Sequence, residues 1–200
     1  MPAYELLGIV AALVGFMSYP AYMLHMRTAN IRPNRVTWVV FAAVNWVIAL
    51  SYHSAGGGWS SLMPFGFAVG SSTLAVLSLF KGEGGASTFD RWCVVAAAIA
   101  YGLWLAAKPV WGMAFGLAAG AIGTFPTLRK LYCTDNRESF WSWSLAWLSS
   151  SINLVGALIT PETARQASLT TVVTPMVFYI VQVSTVLGFI LWQQWIRPTR

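Results

Sequence analysis

The side chains that could do chemistry inside this chain are neutral amides and hydroxyls spaced along apolar segments. Each lies near the middle of an uncharged run, and the set comprises Asn45, Ser71, Ser72, Ser150, Asn153 and Gln182. An amide in an apolar medium is unfavourable without a hydrogen-bond partner. The pattern therefore predicts either a polar cavity that binds a solute or hydrogen bonds between helices. For the serines the sequence favours bonds between helices, and for Asn45 and Gln182 both interpretations stay open.

Aromatic side chains near the same segments could supply flat apolar walls to a ring-shaped solute. Trp38, Trp46, Trp147 and Tyr179 are the candidates. Trp38 and Trp143 lie close to the ends of their segments, where anchoring at the membrane surface or gating competes with solute contact. Trp147 lies deeper in its segment, so the sequence ranks it first among the aromatic candidates.

Acid–base and metal chemistry have no obvious carriers in the apolar segments. The six acidic residues all fall in predicted loops or at helix ends: Glu5, Glu83, Asp90, Asp135, Glu138 and Glu162. Carboxylates inside membrane spans are the usual proton relays, so this distribution disfavours proton coupling. No Cys–His spacing of a zinc site and no nucleotide-binding glycine pattern occurs. We therefore expect no metal, no cofactor and no enzyme activity.

The composition indicates that lipid surrounds most of the chain. Of 200 residues, 57% are hydrophobic and 9% are charged, against about 25% charged residues in a soluble domain. A helix needs about 20 apolar residues to cross a bilayer. The sequence predicts an all-α, polytopic membrane protein with seven transmembrane helices, in the uncharged runs Leu6–Met26, Val36–His53, Trp59–Phe80, Trp92–Ala107, Pro109–Leu128, Ser139–Pro161 and Gln166–Ile196.

Basic residues predict the orientation of these helices. With seven spans, one side carries Arg27, Arg32, Arg35, Lys81, Arg91, Arg129, Lys130, Arg137, Arg197 and Arg200, and the other carries only Lys108 and Arg165. Positive residues accumulate on the cytosolic side, so we expect a multi-pass protein of the cell membrane with its N-terminus outside and its C-terminus in the cytosol. The net charge of +6 then indicates contact with anionic lipid headgroups and requires no nucleic acid.

An internal repeat is indicated by two prolines inside apolar runs. When Pro20 is aligned with Pro126, Thr37-Trp38 falls against Ser142-Trp143 within one residue. Each proline precedes a short basic loop, and each tryptophan begins the next span. Since three helices end on the opposite face from where they begin, a connector helix is needed for two triples to stand in parallel.

The predicted organisation is therefore 3+1+3. Residues 1–82 form the first triple-helix repeat, residues 83–108 hold the connector with helix four, and residues 109–200 form the second triple-helix repeat. Gly112, Gly116 and Gly120 form a close-packing face on helix five. That face serves a neighbouring helix of the same chain or a second protomer, so a homo-oligomer is possible.

The duplicated prolines and the helix count resemble the PQ-loop and SWEET superfamily, which also has the fold of PnuC-type vitamin carriers and KDEL receptors. The Pro-Gln pair of that family is Pro20-Ala21 in the first repeat and Pro126-Thr127 in the second. The segment RPNRVTWVVF is also similar to uncharacterised bacterial seven-helix proteins. The resemblance implies a facilitator that works by alternating access, with Pro20 and Pro126 as hinges.

The sequence thus predicts a transporter of a small uncharged polar solute such as a sugar, a nucleoside or a vitamin-like molecule. A receptor or scaffold of the same fold that does not transport is the alternative. Trp38 and Trp143 are the predicted gate or interface residues. The predicted solute-binding residues are Asn45, Ser71, Trp147, Ser150, Asn153, Tyr179 and Gln182.

Overall fold

The fold is all-helical. A computed structural model describes residues 1–85, 87–106, 109–134, 136–164 and 168–195, without the side chains of residues 100, 109–112 and 164. Over these ranges there is no strand, and the α-helices are α1 (Ala3–Thr28), α2 (Arg35–Ser54), α3 (Leu62–Lys81), α4 (Thr88–Ala106), α5 (Pro109–Cys133), α6 (Phe140–Ile159) and α7 (Leu169–Trp195). The all-α prediction is confirmed.

Within the described ranges, six helical segments are long and apolar enough to cross a membrane: α1, α2, Gly58–Lys81, α4, α6 and α7. Helix α5 is not among them, so the seventh span remains a prediction. Four of the basic residues behind the predicted orientation lie outside the described ranges, namely Lys108, Arg165, Arg197 and Arg200. The orientation also remains a prediction.

Corresponding helices of the two predicted repeats begin with similar caps. The side chain of Asn34 accepts a hydrogen bond from the backbone N–H of Thr37 at 3.2 Å and starts α2. The side chain of Ser139 accepts one from the N–H of Ser142 at 3.3 Å and starts α6. Such caps satisfy an amide that has no partner within its own helix. They fix where each helix leaves the short loop before it.

The two repeated prolines lie inside continuous helices. Pro20 is in α1 and Pro126 is in α5, and neither interrupts its helix. Pro20 is exposed, whereas Pro126 is buried. A proline inside a helix removes one backbone hydrogen bond and leaves a carbonyl without its usual partner. The position of the two prolines does not test whether the helices bend there, so the hinge role stays a prediction for both.

The helices pack as a ring of six with one helix outside it. Helix α3 packs between α1 and α2, and α7 packs between α5 and α6. Contacts of α1 with α6 and of α2 with α5 close the ring. Helix α4 packs against α5 and α2 from outside. This arrangement leaves a central space that each of the six helices can reach.

Small residues bring these helices close together. A Cβ at Gly70 of α3 would overlap the ring of Tyr19, and one at Gly116 of α5 would lie 3.0 Å from Val47 of α2. Gly120, one turn further along α5, likewise faces Val44 of α2. Two glycines of the predicted close-packing face therefore contact α2 of the same chain.

Candidate functional site

A small cavity lies at the centre of the ring. Its volume is about 50 Å³, and all six ring helices contribute to its wall. Since a cavity needs about 10–15 Å³ for one water molecule, it has room for roughly four. The lining residues are Ser18, Tyr19, Tyr22, Trp38, Phe41, Val44, Asn45, Ile48, Phe67, Gly120, Ser142, Trp143, Ala146, Phe178, Tyr179, Gln182 and Val183.

One end of the cavity is enclosed by aromatic rings packed around Trp38. The ring centroid of Trp38 lies 5.0 Å from that of Tyr22, 5.8 Å from that of Phe41 and 6.2 Å from that of Trp143. The first two pairs are edge-to-face, an arrangement that aromatic rings favour. The indole N–H of Trp38 is buried and has no hydrogen-bond partner among the described residues. An unpaired buried donor is unfavourable, so the indole N–H of Trp38 is available to donate a hydrogen bond to a molecule in the cavity.

Asn45 joins three helices at the middle of the cavity. Its Nδ2 donates to Ser71 Oγ of α3 at 3.1 Å, and its Oδ1 accepts from the Tyr179 hydroxyl of α7 at 2.8 Å. Asn45 and Tyr179 line the cavity, and Ser71 lies behind Asn45. Both predicted uses of Asn45, cavity lining and bonding between helices, occur together.

Gln182 makes the corresponding link between α7 and α5. Its Nε2 donates to the carbonyl oxygen of Gly120 at 2.9 Å and to Thr124 Oγ1 at 2.6 Å. Gln182 lies one helical turn beyond Tyr179 and also lines the cavity. The predicted amides of α2 and α7 therefore meet around one central volume.

Three other predicted binding residues, all on α6, lie outside the cavity wall. Ser150 donates to the carbonyl oxygen of Ala146 in its own helix at 3.0 Å. Asn153 donates to the carbonyl oxygen of Ser60 at 3.1 Å and to Met176 Sδ at 2.9 Å. Neither side chain lines the cavity.

Trp147, the aromatic residue that the sequence ranks first, is the third of these residues outside the cavity. Its indole N–H donates to Ser184 Oγ of α7 at 3.0 Å, and 39% of the residue is exposed. Trp46 is equally exposed and donates to Ser72 Oγ. Both indoles therefore lie on the outer surface. The depth of a residue along a helix does not determine whether its side chain faces inward, so depth alone could not predict this.

A buried carboxylate, which the sequence assigns only to a loop, supports the aromatic end of the cavity. Glu138 is 3% exposed. Its Oε2 accepts hydrogen bonds from the Tyr22 hydroxyl at 2.7 Å and from the Trp143 indole N–H at 3.3 Å. Its Oε1 accepts from Lys130 Nζ of α5. Two walls of the cavity are thus bonded directly to an ionisable group.

Lys130 connects Glu138 to a second carboxylate. The Lys130 side chain is 4% exposed, and its Nζ also donates to the carbonyl oxygen of Arg32 at 2.9 Å and lies 3.8 Å from Glu83 Oε1. We call Glu83, Lys130 and Glu138 the ion cluster. The short loop before α6 supplies the signal that sequence reasoning missed, since it holds Glu138 next to the cap Ser139 and within eight residues of Lys130.

Glu83 forms the more accessible side of the ion cluster. Its side chain is 23% exposed, and its Oε2 accepts a hydrogen bond from Asn136. Its Oε1 is buried and accepts no hydrogen bond within the described ranges. Burial raises the pKa of the Glu83 carboxyl above its ordinary value, and the neighbouring Lys130 opposes that rise. The environment therefore favours the protonated acid more than water does.

A second polar chain reaches the cavity beside the ion cluster. His25 Nδ1 lies 2.5 Å from Ser139 Oγ, which lies 2.7 Å from Ser142 Oγ. Ser142 lines the cavity. The aromatic end is therefore surrounded by polar groups from α1, α5 and α6.

The fold and the cavity define a class: an all-helical protein with six helices apolar enough to span a membrane and a central space lined by aromatic, amide and hydroxyl groups. Comparison with family models, curated proteins and solved structures finds no match for the chain.

Proposed function

We propose that this protein is a membrane transporter that facilitates passage of a small uncharged polar solute, such as a sugar, a nucleoside or a vitamin-like molecule, by alternating access. The observation that carries the proposal is the position of the cavity. Every helix of the ring contributes to its wall, and its amide, hydroxyl and aromatic groups suit a neutral solute.

The packing order of the helices supports two parallel triples in a 3+1+3 arrangement. The third helix lies between the other two in each triple, so α1, α3 and α2 correspond to α5, α7 and α6. Helix α4 lies outside the ring and suits a connector. Transporters built from parallel repeats bind their solutes at the interface between the repeats. In the proposed arrangement, the cavity lies at that interface.

The cavity volume fits a closed conformation of such a carrier. About 50 Å³ is less than the 150 Å³ in which an engineered protein cavity binds benzene. A sugar or nucleoside would therefore require the two triples to move apart. Pro20 and Pro126 are the proposed hinges because each removes a backbone hydrogen bond at the same position in its triple.

The orientation belongs to the same proposal, with the N-terminus outside the cell membrane and the C-terminus in the cytosol. Single-cysteine variants Arg32→Cys and Arg137→Cys, in a background with Cys93→Ala and Cys133→Ser, can be labelled from either side of intact cells. We expect both to be labelled from the cytosol. Labelling of the two from opposite sides would exclude parallel repeats.

Uptake into liposomes tests the transport function. We expect saturable uptake of glucose, uridine or nicotinamide, reduced at least fivefold by Asn45→Ala or Gln182→Ala. Ser72→Ala is the matched control, because Ser72 bonds to an outward-facing indole and does not line the cavity. Failure of the folded protein to move any of the three solutes would count against the proposal, and so would unchanged uptake in both amide variants.

A receptor or scaffold without transport is the second candidate. It is favoured by the small volume of the cavity and by the hydrogen bonds that already engage Asn45 and Gln182 within the protein. Stable copurification of another protein, together with no uptake of any solute, would select it.

A further inference from the structure

We propose that a groove between α4 and the ring binds one anionic phospholipid, with an acyl chain in the groove and the headgroup phosphate beside Arg35 and Arg91. The bound lipid joins α4, which lies outside the ring, to α2. This site goes beyond the proposed function, because lipid binding neither requires nor excludes transport of a solute.

The groove is an apolar space on the outer surface of the ring. Its volume is about 490 Å³, and its wall consists of residues from α2, α4 and α5. Val39 and Trp46 of α2 and Val94 and Tyr101 of α4 line it and are exposed, so the groove opens away from the central cavity. Since α2 and α4 are both long and apolar enough to span a membrane, acyl chains are the molecules that meet this opening.

The size of the groove suits a chain from one leaflet of a bilayer. Its lining runs from Val39 to Val47 on α2, which is about 12 Å at the rise of an α-helix. Half of a hydrocarbon core of about 30 Å has a similar thickness. Five lining residues have small side chains that leave the space open: Ala43, Ala97, Ala98, Gly116 and Ala119.

A hydrogen bond closes the far end of the groove. The indole N–H of Trp104 on α4 donates to Ser51 Oγ on α2 at 2.8 Å. These residues lie about one turn beyond Tyr101 and Val47, the last lining residues of their helices. The bond brings α4 against α2 there, so a chain must enter the groove from the side or from the end where both helices begin.

Two arginines continue the lining at the end where both helices begin. On α2, Arg35 lies four residues before Val39, and on α4, Arg91 lies three residues before Val94. Residues three or four apart share one face of a helix, so each arginine follows the same face as the groove. The guanidinium of Arg35 also donates to the carbonyl oxygen of Gly84 at 3.4 Å, in the loop that leads to α4. The two arginines therefore flank one end of the groove.

The charge at this end is available to an anion. Within the described ranges neither Arg35 nor Arg91 forms a salt bridge, and the Arg35 guanidinium donates to carbonyl oxygens. Asp90, the acid next to Arg91, is buried and accepts a hydrogen bond from a backbone N–H of the preceding loop at 2.8 Å. Arg129 of α5 adds a third guanidinium, bonded to a serine hydroxyl of the same loop at 3.2 Å.

An anionic phospholipid matches both parts of the site. Guanidinium groups bind phosphate through charge-assisted hydrogen bonds, and basic residues at a membrane surface attract anionic lipids. A zwitterionic lipid offers the same chain and phosphate, but its ammonium group brings a positive charge towards the arginines. We therefore expect the groove to select for a chain and the arginines to select for a headgroup.

Native mass spectrometry of the full chain in detergent tests the headgroup preference, with phosphatidylglycerol and phosphatidylcholine of identical acyl chains as probes. We expect phosphatidylglycerol to bind about fivefold more tightly, and Arg91→Gln to lower that affinity about fivefold while leaving phosphatidylcholine unchanged. Arg27→Gln, at an exposed arginine of α1, is the matched control and should behave like the parent. Equal affinity of the parent for the two lipids would overturn the proposal, and so would equal losses in the two variants.

A larger side chain in the groove tests where the acyl chain lies. Ala98→Phe places a ring in the groove, so it should weaken binding of both lipids. Ala106→Phe, at an exposed alanine of α4 that does not line the groove, should leave both affinities unchanged. Unchanged affinities in folded Ala98→Phe would overturn the site, and so would a parent protein that forms lipid-free dimers. If Ala98→Phe does not fold, the Arg91→Gln comparison still decides, because Arg91 is exposed.

Discussion

Replacing Lys130 by methionine should destabilise the protein because it leaves two acids beside each other without their shared cation. Lys130 is buried and has three partners: the carboxylate of Glu138, the carboxylate of Glu83 at 3.8 Å and the carbonyl oxygen of Arg32 at 2.9 Å. Removing one member of a buried ion pair costs about 3–5 kcal/mol. For a chain of this length, that corresponds to a fall in Tm of roughly 6–20 °C.

The double variant Lys130→Met/Glu138→Gln tests whether charge, and not lost packing, is responsible. Both buried charges are then gone, and the amide oxygen introduced by Glu138→Gln still accepts from Tyr22 and Trp143. We expect a residual loss of about 1–2 kcal/mol, chiefly from the carbonyl oxygen of Arg32 that no longer has its donor. The double variant should therefore be more stable than the Lys130→Met single variant.

Thermal unfolding in detergent, followed by tryptophan fluorescence, measures both effects. The exposed Lys81→Met variant is the matched control and should change stability by less than about 0.5 kcal/mol. A loss of less than about 1 kcal/mol in Lys130→Met, or a double variant no more stable than the single one, would show that unbalanced buried charge is not the cause.

Three further substitutions test the packing and the charges around the cavity. Trp143→Phe should cost about 1–3 kcal/mol more than Trp38→Phe, because only the first removes an indole N–H that has a partner; equal melting temperatures would contradict this. Gly70→Ala should cost about 1–3 kcal/mol by overpacking against an aromatic ring, while Gly102→Ala, which meets nothing within 4 Å, should not destabilise; similar melting curves would refute that contact. Burial raises the pKa of Glu83, so the favourable contribution of the protonated side chain to stability is lost as the pH rises through that pKa. Glu83→Gln should therefore weaken the fall of Tm between pH 5 and pH 8, and an unchanged slope would contradict the raised pKa of Glu83.

The helices were predictable because apolar length and caps are local properties. The uncharged run Val36–His53 corresponds to α2 at Arg35–Ser54, and Ser139–Pro161 corresponds to α6 at Phe140–Ile159. A charged or capping residue marks where each of these helices begins, and the sequence shows it directly. The seventh span stays a prediction: α5 forms as a helix, but over the described residues it is not one of the six segments that are long and apolar enough to cross a membrane.

The site was predictable only in part. Asn45 and Gln182 line the cavity as their central depth suggested, whereas Trp147 at similar depth points to the outer surface. Depth along the chain does not specify the direction of a side chain, which depends on neighbours in other helices. The burial of Glu138 was not predicted for a related reason. Hydropathy assigns a lone acid to water, and its burial depends on Lys130, a partner on another helix.

The loop that carries Glu83 is fastened to the start of α2 by its backbone. The N–H of Glu83 donates to the carbonyl oxygen of Pro33, and the N–H of Arg35 donates to that of Glu83, each at 2.9 Å. Trp38 follows only three residues later, at the end of the first turn of α2. These two hydrogen bonds couple the loop to α2, so a displacement of Glu83 would also displace the start of the helix that carries Trp38. The backbone amides of residues 35 and 83 should exchange with deuterium slowly for loop positions while these two hydrogen bonds are formed, and faster when they break.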